Sequence, residues 1–213
     1  MLIPFDQLFS RFRINTAGVL HLGANTGQEA EMYSSLGIRK VIWVEALEDV
    51  FEKLKEHIMP YYGQIAVRGC LGESDGEVVT FHRANNESQS SSYLDFGTHA
   101  QEHPTTKFVE DIAMTTVRVD SLLAQHSLSV GPGWFLNVDL QGAELKALLG
   151  MGNLIHQFDH VYIEVNIREL YKGCPLVREI DEYLAKLGFG GKETKMMKQG
   201  WGDKYYQRKS YVM

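Results

Sequence analysis

Apolar positions along the chain fall into two alternating kinds of segment. Short continuous runs, GVLHL (18–22), KVIWVEA (40–46), QIAVRGC (64–70), GWFLNVDL (133–140) and HVYIEV (160–165), read as buried strands. Between them lie longer stretches with apolar residues at helical spacing: from the turn after residue 22 to about Gly37, then 49–58, 142–151 and 175–189. Strands alternating with helices of this length predict βαβ units, because parallel neighbours need a crossover connection. Within 1–14, Leu2, Phe5, Leu8, Phe9 and Phe12 keep a helical period, so a short N-terminal helix is expected to pack against the domain.

The middle of the chain departs from this rhythm. An Asp75-Gly76 turn precedes an alternating run, which predicts an added strand at 77–83. Residues 84–110 are polar and rich in Ser, Asn and His, and a long irregular stretch of this kind reads as a lid or acceptor-binding loop. Residues 117–126 return to order as a short strand and helix. At the end, KETKMMKQG and DKYYQRKSYV flank the turn Gly200-Trp201-Gly202-Asp203 and predict a terminal antiparallel hairpin. The sum is a Rossmann-like α/β fold in one domain, 1–213, with about seven strands, mostly parallel, and helices on both faces.

Composition changes this picture little. A chain of 213 residues with 44% hydrophobic and 23% charged residues can bury an ordinary globular core. The two cysteines, Cys70 and Cys174, form no CxxC pattern, read as small core residues and suit a reducing compartment. The net charge of −6 argues against nucleic acid as a partner. No window approaches the ~18 apolar residues of a membrane span, and no signal-peptide run is present, so a cytoplasmic protein is expected.

Three strand ends carry candidate chemistry. His21-Leu-Gly23-Ala-Asn25-Thr-Gly27 follows the first strand and opens the first helix, where glycines let the backbone turn tightly and approach a ligand. Its G-x-x-x-G spacing differs from the G-x-G-x-x-G of a dinucleotide site and suits an amino-acid-bearing nucleoside without pyrophosphate. Glu45 ends the second strand about twenty residues on, where an acid can accept hydrogen bonds from ribose hydroxyls; a solvated carboxylate is the alternative. Asn137-Val-Asp139-Leu-Gln141-Gly142-Ala-Glu144 leaves the end of a central strand, the edge at which open α/β sheets bind ligands. Asp139 is the favoured functional carboxylate, whereas Glu144 reads equally as a charge at the start of the next helix.

HLGANTGQEAEMY, WVEAL, VRVDSLL, NVDLQGAELKALLGM, VYIEV and WGDKYY, in this order, resemble the FkbM-type methyltransferase family from about residue 15 to 210. The resemblance implies a class I fold that uses S-adenosylmethionine (SAM), yields S-adenosylhomocysteine (SAH), and O-methylates a sugar or polyketide hydroxyl. By position, Gly23, Ala24, Asn25 and Gly27 would line the methionine part of SAM, with His21 preceding them. Glu45 would hold the ribose, Cys70 and Leu71 would lie beside the adenine, and Asp139 and Gln141 would face the sulfonium. The segment 84–110 matches the family only loosely.

A hydroxyl acceptor benefits from a base as its proton leaves. The candidates are Asp139, Glu164 at the end of the 160–165 strand, and a loop histidine: His99, His103 or His82. Asn166 could orient the acceptor. The run Ser90-Ser91-Ser92-Tyr93 either orders over the cofactor or is an ordinary polar loop, and Tyr93, Phe96, Tyr171 and Trp201 either stack on a sugar or pack the core. No tight cluster of ligating residues appears, so no metal is expected. The expected function is O-methylation of a carbohydrate or other hydroxyl-bearing small molecule. A non-catalytic glycan- or partner-binding module is opposed by the intact glycine loop with Glu45, and an NAD(P)-dependent oxidoreductase by the missing dinucleotide motif.

Overall fold

Four central strands are buried on both faces, which is why they read as unbroken apolar runs rather than as alternations. The computed structural model describes residues 2–209. In chain order, α1 (Phe5–Arg11) is followed by β1 (Val19–Leu22), α2 (Ala30–Ser35), β2 (Val41–Glu45), α3 (Glu48–Ile58) and β3 (Gln64–Arg68). Next come β4 (Cys70–Leu71), β5 (Val78–Ala84), α4 (His99–Glu102), β6 (Phe108–Val117) and α5 (Val119–Gln125). The chain continues through β7 (Trp134–Val138), α6 (Glu144–Leu149), a 3-10 helix (Gly152–Gln157) and β8 (Phe158–Asn166). It closes with α7 (Val177–Lys186), β9 (Phe189–Met196) and β10 (Trp201–Arg208). The terminal hairpin is therefore β9–β10; the last residues expected for its second strand, from Ser210 on, lie outside the described residues.

The main sheet has seven strands in the order β3-β2-β1-β7-β8-β10-β9. Its pairings are parallel from β3 to β8, and β10 runs antiparallel to both of its neighbours. Two apolar layers cover it. Alternate residues such as Leu20, Leu22, Leu136 and Ile163 pack with α5, α6 and α7, while Val19, Trp43, Phe135 and Tyr162 face α1, α2 and α3. The N-terminal helix contributes Phe5, Leu8 and Phe9 to the second layer, with the Phe5 ring edge-on to Tyr162 at 4.7 Å.

Two expectations about the middle of the chain change. The run 64–70 is not one strand: it breaks at Gly69, and Cys70-Leu71 joins a second, three-stranded sheet, β4-β6-β5. Strand β6 begins at Phe108, inside the stretch expected to be a loop, and His99–Glu102 forms a short helix there. The small sheet carries the remaining connection, residues 85–98, across the carboxyl end of the main sheet.

Phe135 is fully buried between the rings of Phe5 and Phe9, at 5.5 and 5.3 Å. Removing it opens a cavity under the N-terminal helix, so Phe135→Ala is expected to lower unfolding free energy by about 3–5 kcal/mol in denaturant titrations. A loss below about 1 kcal/mol would show that this layer repacks freely.

Candidate active site

Strand register builds the site. Trp43, His21, Asn137, Tyr162 and Tyr205 are neighbours across β2, β1, β7, β8 and β10, all on the face covered by α1–α3. Side chains two residues further along a strand return to the same face. The next row, at the carboxyl edge, is therefore Glu45, Gly23, Asp139, Glu164 and Asp203. The first row is a rigid floor: the His21 ring stacks on Trp43 at 4.8 Å, Tyr33 Oη lies 3.2 Å from His21 Nδ1, and Asn137 Nδ2 donates to Tyr33 Oη at 2.9 Å. Burial pulls the His21 pKa down to about 3, so its ring is a neutral partner at physiological pH.

Gly23 occupies the one position in the second row where a side chain cannot exist. It has φ +83°, and a Cβ there would stand 1.7 Å from the Asp139 carbonyl oxygen. Gly23 and Ala24 both donate backbone N–H groups to Val44 O, at 3.0 and 2.9 Å. Gly27 does a different job: its missing side chain makes room for Leu54 of α3, 2.6 Å from where a Cβ would be, and it does not line the cavity.

Above the second row lies a cavity of about 530 Å³, within the usual range for small-molecule sites. It brings together His21, Gly23, Ala24, Asn25, Glu45, Cys70, Leu71, Asp139, Gln141, Glu164, His99 and His103. His82 is elsewhere, hydrogen-bonded through Nδ1 to Asp111 at 2.6 Å on the small sheet. Asn166 is also outside the lining, with neither side-chain polar atom hydrogen-bonded. Loop residues Asn86, Ser88, Gln89, Ser90 and Ser91 form one wall, and Asn25 Nδ2 reaches across to donate to Glu87 O at 3.2 Å.

Hydrogen-bond donors hold the acids in place. Glu45 accepts the N–H groups of Asn25 and Leu47, both at 2.9 Å, and burial pushes its pKa up to about 7. Gln141 Nε2 donates to Asp139 Oδ1 at 2.6 Å and to Glu164 Oε2 at 3.0 Å, bridging the two carboxyl groups. Loss of water raises the pKa of both, and the buried Glu164 is raised further by Asp139, Glu144 and Asp203 around it. Glu164 is the more deeply buried of the two, and Asp139 is the more open to the cavity. His99 is buried against Phe96, ring centroids 4.2 Å apart, and burial lowers its pKa to about 4, leaving it a weak base.

Asp203, which sequence reasoning passed over as part of a turn, completes the row and accepts hydrogen bonds from Tyr162 Oη and Leu2 N. Its signal was an acid opening a tyrosine-rich strand. Glu144 lies beneath the site rather than in its lining: its Oε1 accepts the N–H groups of Leu140 and Gly142, both at 3.0 Å, and closes the loop after β7.

Solved structures share this fold. Magnesium protoporphyrin IX methyltransferase from Synechocystis PCC 6803, with bound SAM, aligns at TM-score 0.53 and 12% identity, over 96% of this chain and 76% of its own. A TehB-like SAM-dependent methyltransferase from Corynebacterium glutamicum gives 0.53 and 10%, over 95% and 86%. Fibrillarin from Aeropyrum pernix, with natively bound SAM, gives 0.53 and 14%, over 91% and 67%. No curated protein matches the chain. The sheet order and its reversed strand define a class I methyltransferase fold. Residues 21–190 match the Methyltransferase FkbM domain, and the chain belongs to that family.

The protein is a SAM-dependent methyltransferase, and its cavity fits that cofactor. A carboxylate offers about four lone-pair sites, so Glu45, after accepting two backbone N–H groups, retains capacity for two ribose hydroxyls. Cys70 and Leu71 form a buried apolar part of the cavity wall. Among the described residues no helix is long and apolar enough to cross a membrane.

Burial raises the Glu144 pKa from 4.5 to about 7. A carboxyl whose folded pKa lies above its unfolded value stabilises the fold below the unfolded value, and that contribution is lost as pH rises through the folded one. Glu144→Gln keeps the oxygen that closes the loop but cannot ionise. Its stability relative to wild type is therefore expected to improve between about pH 5 and about pH 8, read from parallel denaturant titrations. A pH-independent difference would contradict this.

Proposed function

We propose that this methyltransferase acts on a hydroxyl group of an uncharged carbohydrate, with Asp139 as the general base. The observation that carries this reading is the pair of carboxyl groups, Asp139 and Glu164, bridged by Gln141 in the lining of the cavity. Bound SAM supplies an electrophilic methyl carbon on a sulfonium. Glu45 would hold its ribose, Cys70 and Leu71 its base, and Ala24 and Asn25 its amino-acid end. Asp139 and Gln141 would face the sulfonium.

Methyl transfer from sulfur to oxygen is an in-line displacement, so the residues act mainly by aligning the acceptor. As the acceptor oxygen gains the methyl group and the carbon–sulfur bond breaks, Asp139 receives the hydroxyl proton. Its raised pKa suits that work, because a base is most useful when its pKa approaches the working pH. His103 lies in the same cavity as a second group within the acceptor region.

The lining also supports the acceptor class. It contains five carboxyl groups, Glu29, Glu45, Asp139, Glu164 and Asp203, and no lysine or arginine among the described residues. A phosphorylated sugar or a nucleic-acid backbone finds no counter-charge there. Uncharged amide and hydroxyl groups from the 86–91 loop, with the aromatic faces of Tyr93 and Trp201, suit a polyol instead.

Turnover of methyl-labelled SAM against neutral sugars, phosphorylated sugars and amines tests the proposal. Label is expected on a neutral sugar hydroxyl, and Asp139→Asn is expected to lower kcat by about 10²–10⁴-fold with SAM still bound. Label on an amine, or an Asp139→Asn variant at full rate, would refute it.

A further inference from the structure

The bridge between Asp139 and Glu164 works only in one orientation of the Gln141 side chain. An amide has donors on one side and an acceptor on the other, in nearly the same shape, so a neighbour must determine which side meets the acids. That neighbour is Tyr171. Its hydroxyl donates to Gln141 Oε1 at 2.8 Å, opposite the two contacts that Nε2 makes with Asp139 and Glu164. Tyr171 is fully buried, with its ring 5.6 Å from Phe96 and 5.4 Å from His99. The backbone of the same residue bridges to Phe96, so the tyrosine is clamped to the segment that follows the cavity loop.

We propose that Tyr171 is a positioning residue for the Asp139–Glu164 pair: by donating to Gln141 Oε1 it turns the amide nitrogen toward both carboxyl groups and favours their ionised form. The role assigned to Asp139 in catalysis rests on the reading above, but the positioning does not. Burial and the nearby Glu164 raise the Tyr171 pKa well above the phenol range, so the hydroxyl remains a donor throughout. Its alternative acceptor is Ser90 O at 3.2 Å, on the cavity loop. One proton cannot serve both acceptors fully, so a loop that draws the hydroxyl away would loosen the amide.

Without the hydroxyl, the amide is free to turn its oxygen toward the acids, which penalises their charged forms. The titratable groups that share the site with the pair are Glu29 before α2, Glu45 on β2, Glu144 on α6, Asp203 on β10 and the phenol of Tyr162 on β8, with His99 of α4 packed on Tyr171 itself. Comparison with a Gln141 variant therefore assigns a change caused by Tyr171→Phe to the amide.

The test compares calorimetric Kd values for SAM and SAH from about pH 5 to about pH 9. The sulfonium carries a charge that the thioether lacks, so the preference for SAM tracks ionisation of the nearby acids without any turnover. In wild type the preference is expected to grow with pH through a midpoint. Tyr171→Phe is expected to move that midpoint upward by about one pH unit. Gln141→Met should shift it similarly, and the double variant should shift it no further than either single change.

An unmoved midpoint in folded Tyr171→Phe, or additive shifts in the double variant, would overturn the proposal. If Tyr171→Phe does not fold, Gln141→Met decides: an unmoved midpoint there overturns it too. A wild-type preference that is flat with pH would overturn both this inference and the placement of the sulfonium beside Asp139. A full-rate Asp139→Asn variant would refute only the base assignment.

Discussion

The second register row imposes the constraint on which the site depends. Glu45, Asp139, Glu164 and Asp203 emerge on one face at the same sheet edge, with neighbouring strands about 4.8 Å apart and all but Asp139 buried. Carboxyl groups so placed repel one another and lose hydration, so each must either keep its proton or find donors. The local backbone is shaped by that demand. Glu45 draws in the N–H groups of Asn25 and Leu47, which fixes the glycine loop to the end of β2. Glu144 draws in those of Leu140 and Gly142, which fixes the loop after β7. Gly23 is the gap in the row: the space that a side chain would need is taken by the Asp139 carbonyl, so the two loops touch backbone to backbone.

The cavity combines carboxyl groups whose pKa burial raises with a neutral His21 beneath them, and its lining holds no lysine or arginine among the described residues. The row behind it, from Trp43 to Tyr205, is packed against α1, α2 and α3, so the acids stand on a floor with little freedom to move. Precise placement of catalytic groups comes from this kind of support.

The sequence disclosed the parts of the site that arise from strand periodicity. Continuous apolar runs marked the central strands, and the polar residues ending them, Glu45, Asp139 and Glu164, stood out because burial of such groups is costly without partners. What it did not disclose depends on neighbours distant in the chain. Strand β6, FVEDIAMTTV, has Glu110 and Asp111 near its start and gains its order from pairing with β5, so its first residues resembled the preceding loop. The break at Gly69 likewise reflects a change of sheet that no local pattern announces. Asp203 became visible only through its register with Glu164, and Tyr171, read from the sequence as an aromatic for a sugar or the core, shows its hydrogen bond to Gln141, thirty residues away, only in the fold. The resemblance carried by HLGANTG and DLQGAE agrees with the family match over residues 21–190, whereas WGDKYY lies beyond the matched residues.

A crystal structure of the chain with SAH is expected to show ribose hydroxyls on Glu45, the adenine against Cys70 and Leu71, the amino-acid end over the Gly23–Asn25 turn, and the sulfur on the side of the cavity that holds Asp139. A nucleoside bound away from Glu45, or a sulfur turned away from the Asp139–Glu164 pair, would contradict this placement.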